Sequence, residues 1–179
     1  MNDTNDQYYG PGYDFYYDKI APGYEELHRG EQDKKIAIVK KYVKVKEPGL
    51  LLDVGCGTGI TSNFPCDVVG LDPSKELLKR FAAPLAKSVK TICAPAEKMP
   101  FEDEKFDAIV SITALQNFDD AEQGLKEMRR VGKKNAQYAI SFLKKSAKKE
   151  QLAALIKKYF VIEKEIEEEK DVIFFGRKR

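Results

Sequence analysis

The sequence lacks several features that mark common classes of protein. No stretch approaches the run of about 18 apolar residues that a membrane-spanning helix needs. The three cysteines are widely spaced and form no CxxC pair, which argues against a disulfide framework or a zinc site. The first residues are polar and acidic, whereas a secretory signal peptide is cationic and then apolar. These absences predict a cytoplasmic protein that has no metal site and no membrane segment.

The composition is that of a globular protein with one domain. The chain has 179 residues, of which 42% are hydrophobic and 34% are charged, and its formal net charge is +2. A chain of this length buries roughly 70% of the surface that its unfolded form exposes. It therefore needs no disulfide or metal to hold its core together.

The small net charge conceals a strong segregation of charge. Residues 1–30 are acidic and carry six tyrosines, whereas residues 126–158 carry eleven basic residues against two acidic ones. Such blocks are usually solvated helix faces and turns, but a basic block also suits contacts to phosphates. We expect residues 1–30 to form a lid segment in front of a domain at 31–179. The lid either packs over a sheet edge or covers the binding pocket, where Tyr17 is the candidate for stacking on a planar ligand.

Segments of helix and strand character alternate along the rest of the chain. Apolar residues at helical spacing predict a helix over 31–43, ended by Pro48 and Gly49. Strands are predicted at 50–54, 67–72, 89–93, 106–112 and 138–142. Helices are predicted from Ser74 to about Leu85, from Asp119 or Asp120 to 131, and over 146–158. Two last strands, near 160–166 and 172–175, follow each other directly and should pair antiparallel. The pattern predicts an α/β fold with one Rossmann-like, doubly wound, mostly parallel sheet and an antiparallel C-terminal strand pair.

Glycines follow the first predicted strand in the segment Asp53-Val54-Gly55-Cys56-Gly57-Thr58-Gly59. Glycines at the carboxyl end of a parallel strand allow a tight turn and let a ligand lie against bare backbone. Asp72 ends the next strand, where a carboxylate can accept hydrogen bonds from both hydroxyls of an adenosine ribose. The alternatives are that the glycines only shape a turn, that Asp53 only stabilises the loop, and that Asp72 caps the helix near Ser74.

The residues after Gly59 distinguish between nucleotide-binding loops. A P-loop would need lysine and then serine or threonine, but Ile60 and Thr61 follow Gly59. A dinucleotide-binding loop would need a small residue where Ile60 stands. The remaining pattern, with Asp53 before the glycines and Asp72 beyond them, resembles the first and second motifs of class I S-adenosylmethionine-dependent methyltransferases.

The resemblance continues over about residues 13–145. Residues 95–101 and 106–111 look like the third and fourth motifs of the branch that includes quinone-biosynthesis and tRNA wobble-uridine methyltransferases, although Pro95 stands where relatives commonly have an acid that contacts adenine. The resemblance implies S-adenosyl-L-methionine as the cofactor and S-adenosyl-L-homocysteine as its product. The cofactor-binding residues that it implies are Asp53, Gly55, Cys56, Gly57, Gly59, Asp72, Pro73, Ala96, Glu97, Ser111 and Thr113.

Gln116 and Asn117 occupy the positions where many of these relatives have two histidines. An amide cannot take up a proton at neutral pH, but it can orient an acceptor by hydrogen bonds. Asn117 is therefore, with Tyr17, a candidate catalytic residue, unless it only caps the following helix. His28 is the sole histidine and is expected to be structural, and Cys56 is expected to be a buried packing residue and no nucleophile.

Three interpretations of the substrate remain open. The first is an RNA base, with basic residues within 126–158 and at 177–179 contacting phosphates. The second is a planar metabolite such as a quinone precursor, held in an aromatic pocket. The third is a cofactor-binding module that depends on a partner, such as a small activator protein, docked near the short connection at 60–65. Neither DNA nor a membrane is an expected partner.

Overall fold

The computed structural model describes residue 30 and residues 32–179. The elements in chain order are α1 (32–42), β1 (Leu50–Val54), a 3₁₀ turn (Ile60–Ser62), β2 (Asp67–Asp72), α2 (Lys75–Leu78), β3 (Ser88–Cys93), β4 (Phe106–Ser111), a second 3₁₀ turn (Leu115–Asn117), α3 (Ala121–Val131), β5 (Gly132–Leu143), α4 (Lys149–Tyr159), β6 (Phe160–Glu167) and β7 (Asp171–Lys178). The expected lid, with Tyr17 and His28, lies outside the described residues except for Gly30.

The seven strands form one sheet in the order β3-β2-β1-β4-β5-β7-β6. Neighbouring strands among β1 to β5 are parallel, and β7 is antiparallel to both β5 and β6. This arrangement confirms the predicted fold class. The chain leaves β1 toward β2 on one side and returns through β4 on the other, so the strand order reverses between β1 and β4. Open α/β sheets bind ligands at the carboxyl ends of the strands beside such a reversal.

The sheet has an apolar core on each face. Leu51 and Leu52 are both fully buried but belong to different clusters, because successive side chains of a strand point to opposite faces. Leu52 packs in the cluster that includes residues of α3 and α4, whereas Leu51 packs in the cluster that includes residues of α1. Both faces of β1 are therefore covered, as expected for a continuous apolar run in a parallel strand.

The prediction of a helix from Ser74 to about Leu85 is wrong, because α2 ends at Leu78. Ser74 is the N-cap as predicted, with its Oγ accepting a hydrogen bond from the Leu77 amide. Beyond the helix, the Ala82 amide donates to the Thr58 carbonyl and the Lys87 amide to the Cys66 carbonyl. Pro84 also disfavours a helical backbone at the residue before it. The chain therefore runs along the glycine loop and does not continue the helix.

The other predicted elements are present with shifted ends. The fifth strand is longer than predicted and extends over Gly132–Leu143, and α4 begins at Lys149, three residues later than predicted. The N-cap of α3 is Asp120, whose carboxylate accepts a hydrogen bond from the Gln123 amide at 2.9 Å. The short connection at 60–65 contains a single 3₁₀ turn, Ile60–Ser62.

A buried ion pair attaches α1 to the carboxyl edge of the sheet. The Lys35 side chain is 1% exposed, and its Nζ lies 2.9 Å from Asp171 Oδ1 and donates to Thr113 Oγ1 at 3.0 Å. Asp171 is fully buried, and its Oδ2 accepts hydrogen bonds from Thr113 Oγ1 and Ser141 Oγ, both at 2.7 Å. One carboxylate thus connects α1, β5, β7 and the segment after β4.

Removing the lysine should show how strongly this contact stabilises the fold. Lys35→Met leaves the Asp171 carboxylate buried without its cation, and we expect the free energy of unfolding to fall by about 3–5 kcal/mol in urea denaturation. Adding Asp171→Asn removes the uncompensated charge and should recover part of the loss. The control is Lys34→Met, because Lys34 pairs with Glu169 on the surface, where such a pair contributes about 0–1 kcal/mol. Equal losses in the two single variants would contradict the assignment.

Candidate active site

The loop after β1 contains three glycines in the left-handed region. Gly55, Gly57 and Gly59 have φ angles of 75°, 53° and 88°, which L side chains rarely adopt. A Cβ at Gly55 would lie 2.6 Å from the Ala114 Cβ, and one at Gly59 would lie 2.9 Å from the Ala82 carbonyl oxygen. A Cβ at Gly57 would meet, among the described atoms, only Leu77 Cδ1 at 3.9 Å. Gly57 therefore borders open space, where a ligand can approach the backbone.

Asp53 lies fully buried beneath this loop. Its Oδ2 accepts hydrogen bonds from Thr61 Oγ1 and Ser62 Oγ, both at 2.6 Å, so the alternative of a loop-stabilising acid holds for this oxygen. Its Oδ1 is buried and has no hydrogen-bond partner in the described part of the chain. Burial raises the pKa of Asp53 to about 6, the two hydroxyls oppose the rise, and the charge of Asp72 adds to it. One carboxylate oxygen is thus held by the loop, and the other is available for a cationic group.

Asp72 orders the loop from the end of β2. Its Oδ2 accepts a hydrogen bond from the Gly57 amide at 2.8 Å, and its Oδ1 accepts one from the Ser74 amide at 2.9 Å. The N-cap of α2 is Ser74, so the alternative that Asp72 caps this helix is wrong. Pro73 follows, and its carbonyl accepts a hydrogen bond from Cys93 Sγ. The carboxylate that the sequence assigns to the ribose therefore lies directly beside the open glycine.

Two further buried hydroxyls at the carboxyl edge of the sheet have no hydrogen-bond partner among the described residues. They are Thr58 Oγ1 in the glycine loop and Ser111 Oγ at the end of β4. Val110 pairs in register with Asp53, which places Ser111 one residue further toward the carboxyl edge. An unpaired buried polar group costs about 1–3 kcal/mol, so three of them at one edge indicate a polar ligand. An acceptor for an ammonium group, together with hydroxyls that can donate to a carboxylate, fits the methionine part of S-adenosylmethionine.

Ala96 and Glu97 follow β3 and lie against the start of α3. Ala96 is buried, and the Glu97 carboxylate accepts a hydrogen bond from the Asp120 amide at 3.1 Å. The Glu97 carbonyl also receives the Gln123 side-chain amide at 3.5 Å. Glu97 therefore helps to hold the N-terminus of α3, a role that the sequence did not predict.

Thr113 and Cys56, both assigned to the cofactor, have their polar groups committed elsewhere. Thr113 has a φ of 58°; its amide donates to Ser141 Oγ, and its hydroxyl donates to Asp171 and accepts from Lys35. The Cys56 amide donates to the Leu71 carbonyl and its thiol to the Gly57 carbonyl. The assignment of either residue to the cofactor stays a prediction. Burial raises the pKa of the Cys56 thiol well above its usual value, as expected of a packing residue.

Asn117 ends the 3₁₀ turn after β4, and the alternative that it caps α3 is wrong because Asp120 is the cap. A cleft of about 290 Å³ opens beside this turn, between the start of α3 and the first half of α4. Its lining includes Gln116, Phe118 and Lys148 but not Asn117. The role of Asn117 stays a prediction, and the structure adds its neighbour Gln116 as a residue that lines the cleft. Gln116 and Asn117 differ in that Gln116 lines the cleft and Asn117 does not, and the spacing of residues in the sequence does not predict this difference.

The structure separates the basic residues into two groups. Lys144, Lys145, Lys148 and Lys149 follow β5 at the carboxyl edge of the sheet, and Lys148 borders the cleft. Residues 177–179 lie at the opposite edge, because β7 runs antiparallel to β5 and Lys178 Nζ donates to the Gly132 carbonyl at the start of β5. The first group is here called the basic edge. Lys126 and Lys158 also lie near the cleft, because both pair with Glu122 in its lining.

No helix in the described part of the chain is long and apolar enough to cross a bilayer. Residue 30 and residues 32–179 also contain no group of three or more histidine, cysteine or acidic side chains that could hold a metal ion.

The chain is similar to known methyltransferases. The family model of a methyltransferase domain matches residues 52–140. A ubiquinone/menaquinone biosynthesis C-methyltransferase of Geotalea uraniireducens is 34% identical over 140 residues, which are 69% of this chain and 60% of that protein. The human "Probable tRNA methyltransferase 9B" is 31% identical over 124 residues, 64% of this chain and 25% of that protein. This chain therefore spans 60% or less of the length of both curated relatives.

Similarity to a solved structure supports the fold. A SAM-dependent methyltransferase of Aquifex aeolicus superposes with a TM-score of 0.75 and 17% identity, covering 90% of this chain and 98% of that one.

A side chain at Gly57 should block the candidate cofactor site without filling a packed part of the loop. Gly57→Val adds strain of about 1–2 kcal/mol from its left-handed backbone and should abolish binding of S-adenosylmethionine in calorimetry. Gly57→Asn serves to separate the two effects, since asparagine tolerates this backbone conformation but occupies the same space. Loss of binding in both variants, with a near-normal melting temperature for Gly57→Asn, is the expected result. Retained binding in either variant would place the cofactor elsewhere.

Proposed function

This chain belongs to the class I S-adenosylmethionine-dependent methyltransferase family, and from that premise we propose that it transfers a methyl group from S-adenosylmethionine to a base of RNA. The observation that carries the proposal is the carboxyl edge of β1 and β4. There Asp53 has one unpartnered carboxylate oxygen and Gly57 borders open space, and the basic edge follows β5, where its Lys148 borders the cleft beside the turn after β4. The cofactor, when bound, supplies a methyl group on a sulfonium, which is an excellent leaving group.

The residues beside the glycine loop would hold the cofactor. Asp53 Oδ1 accepts hydrogen bonds from the ammonium of its methionine part, and Thr58 and Ser111 offer hydroxyls to the same part. Gly57 lets the ligand lie against the loop. Asp72, whose carboxylate holds the Gly57 and Ser74 amides beside the open glycine, would receive the ribose hydroxyls.

The side chains beside the cleft contribute alignment of the acceptor. The amides of Gln116 and Asn117 cannot take up a proton at neutral pH, so they can only orient the methyl acceptor. Orientation is the larger part of what this reaction needs, because the bound acceptor must lie in line with the methyl group. The polar start of α3 and Lys148 border the same cleft.

The basic edge supports RNA as the substrate. Lys145 and Lys148 are exposed. Lys144 pairs with Glu167 at 3.9 Å, and Lys149 pairs with Glu150 at 3.7 Å. Such long surface pairs contribute little to stability, so a phosphate can replace the carboxylate as the partner of each lysine. Four lysines beside the cleft could thus bind the backbone around a base that enters it.

A planar metabolite such as a quinone precursor is the second candidate substrate. The similarity to quinone-biosynthesis C-methyltransferases favours it, and so do the apolar residues Leu115, Phe118, Leu152 and Leu155 in the lining of the cleft. An aromatic acceptor would bury its ring against these side chains, and its binding would depend little on salt.

Transfer of tritiated methyl groups to unmodified tRNA transcripts tests the proposal. The wild-type chain should label the transcripts, and Lys145→Glu with Lys148→Glu should raise KM for RNA while leaving the affinity for S-adenosylmethionine unchanged. Each lost phosphate contact should also reduce the slope of log affinity against log salt by about 1. The control pair Lys105→Glu with Lys134→Glu makes the same charge change at the starts of β4 and β5 and should behave like wild type. Labelling of 1,4-naphthoquinol but not of RNA would contradict the RNA assignment.

A further inference from the structure

We propose that Gln116 binds the methyl acceptor and selects one that presents an N–H or O–H group beside the atom to be methylated. The inference rests on the proposed methyl transfer but not on the choice between RNA and a metabolite. An imide N–H of uracil, an exocyclic amine and a phenolic hydroxyl all belong to this class. The sequence pattern had indicated the neighbouring residue, Asn117.

The orientation of the Gln116 amide follows from one hydrogen bond. Its Nε2 donates to the backbone carbonyl of Thr113 at 2.7 Å. A backbone carbonyl can only accept, so the nitrogen must face it and the oxygen must lie at the other end of the amide. That oxygen, Oε1, is buried and has no hydrogen-bond partner among the described residues.

Thr113 is itself held in place from three elements. Its hydroxyl bonds to Lys35 of α1 and Asp171 of β7, and its amide donates to Ser141 of β5 at 2.8 Å. Its left-handed backbone turns the chain directly after β4. These bonds fix the carbonyl that anchors Gln116. The Gln116 amide is thereby positioned relative to the strand ends where Asp53 and Ser111 lie.

The unpartnered oxygen of Gln116 belongs to a different part of the carboxyl edge from the other three unpartnered oxygens described above. Asp53 Oδ1, Thr58 Oγ1 and Ser111 Oγ belong to the glycine loop or the strand ends beside it. Gln116 lies beyond β4 and lines the cleft between α3 and α4. An acceptor atom there is satisfied by a hydrogen-bond donor of the substrate. A site with such a group rejects an analogue that lacks the donor more strongly than an apolar pocket could.

Gln116→Glu tests whether Gln116 binds the acceptor, because the glutamic acid can replace glutamine only while its carboxyl group is protonated. A protonated glutamic acid reproduces the pattern of glutamine, because its hydroxyl can donate to the Thr113 carbonyl while its carbonyl oxygen accepts. The ionised form places a negative oxygen against that carbonyl and loses the anchor. Burial raises the pKa of such a carboxyl above the usual value of about 4.3. The kcat/KM of the variant, divided by that of wild type, should therefore rise as the pH falls from about 8 to about 5.5.

The measurements use S-adenosylmethionine at saturation with two separate acceptors, unmodified tRNA transcripts and 1,4-naphthoquinol. The charged groups around the cleft and the anchor are the same in both proteins: Asp119, Asp120, Glu122, Lys126, Lys148, Lys158, Lys35, Glu168, Asp171 and Asp53. Their titration therefore cancels in the ratio. Gln116→Leu keeps the bulk but removes the acceptor, and its kcat/KM should fall about tenfold at every pH, with the Kd for S-adenosylmethionine unchanged.

Gln137→Glu is the matched control. Its Nε2 also donates to a backbone carbonyl at 2.7 Å, that of Lys44, but Gln137 lies in β5 away from the carboxyl edge and outside the lining of the cleft. Its kcat/KM should stay at the wild-type level across the pH range. The same recovery at low pH in this control would assign the effect to stability and overturn the proposal.

The remaining outcomes separate this inference from the proposed function. Unchanged kcat/KM in Gln116→Leu, in a chain that transfers methyl groups to either acceptor, would overturn the role of Gln116 alone. A wild-type chain that binds S-adenosylmethionine but labels neither acceptor would overturn the proposed function, and the acceptor role of Gln116 with it.

Discussion

The candidate site depends on one buried carboxylate. Asp53 lies under the glycine loop at the centre of the sheet, and two hydroxyls of the following 3₁₀ turn bind one of its oxygens. These bonds attach the turn to β1. The other oxygen has no partner in the described residues, and burial keeps the pKa of the group near 6. A buried charge is costly without a counter-charge, so the site favours a ligand that brings a cation.

A second buried charge organises the acceptor side of the same edge. Asp171 receives Lys35, Thr113 and Ser141, and so joins α1 to the strands and to the segment after β4. Thr113 in turn anchors Gln116 beside the cleft. Under the proposed function, Asp53 would face the cofactor and Asp171 would support the part of the edge that binds the acceptor. Any movement of α1 would reach the cleft through Lys35.

Local patterns in the sequence were sufficient for the fold. Apolar runs located the strands, and the direct succession of β6 and β7 implied antiparallel pairing. The two acids before a helical repeat limited the cap of α3 to Asp119 or Asp120, and the structure shows that it is Asp120. The end of α2 could not be predicted in this way, since the Ala82 amide bonds to Thr58, which lies 24 residues earlier. Likewise, no local pattern joins Lys35 to Thr113, because 78 residues separate them. The glycine loop and Asp72 were recognisable because their chemistry is local, whereas the commitment of Thr113 and the position of Gln116 depend on contacts between distant segments.

The central claim is that Asp53 binds the cationic methionine part of S-adenosylmethionine, and calorimetric titration at several pH values tests it most directly. The free carboxyl has a pKa of about 6, and a bound cation favours its ionised form. Affinity should therefore rise with pH through 6 and level off above it, with a Kd about tenfold weaker at pH 5 than at pH 7.5. Asp53→Asn should bind weakly and with little pH dependence over this range. A wild-type Kd that does not change with pH, or an Asp53→Asn variant that binds as tightly as wild type, would contradict the account.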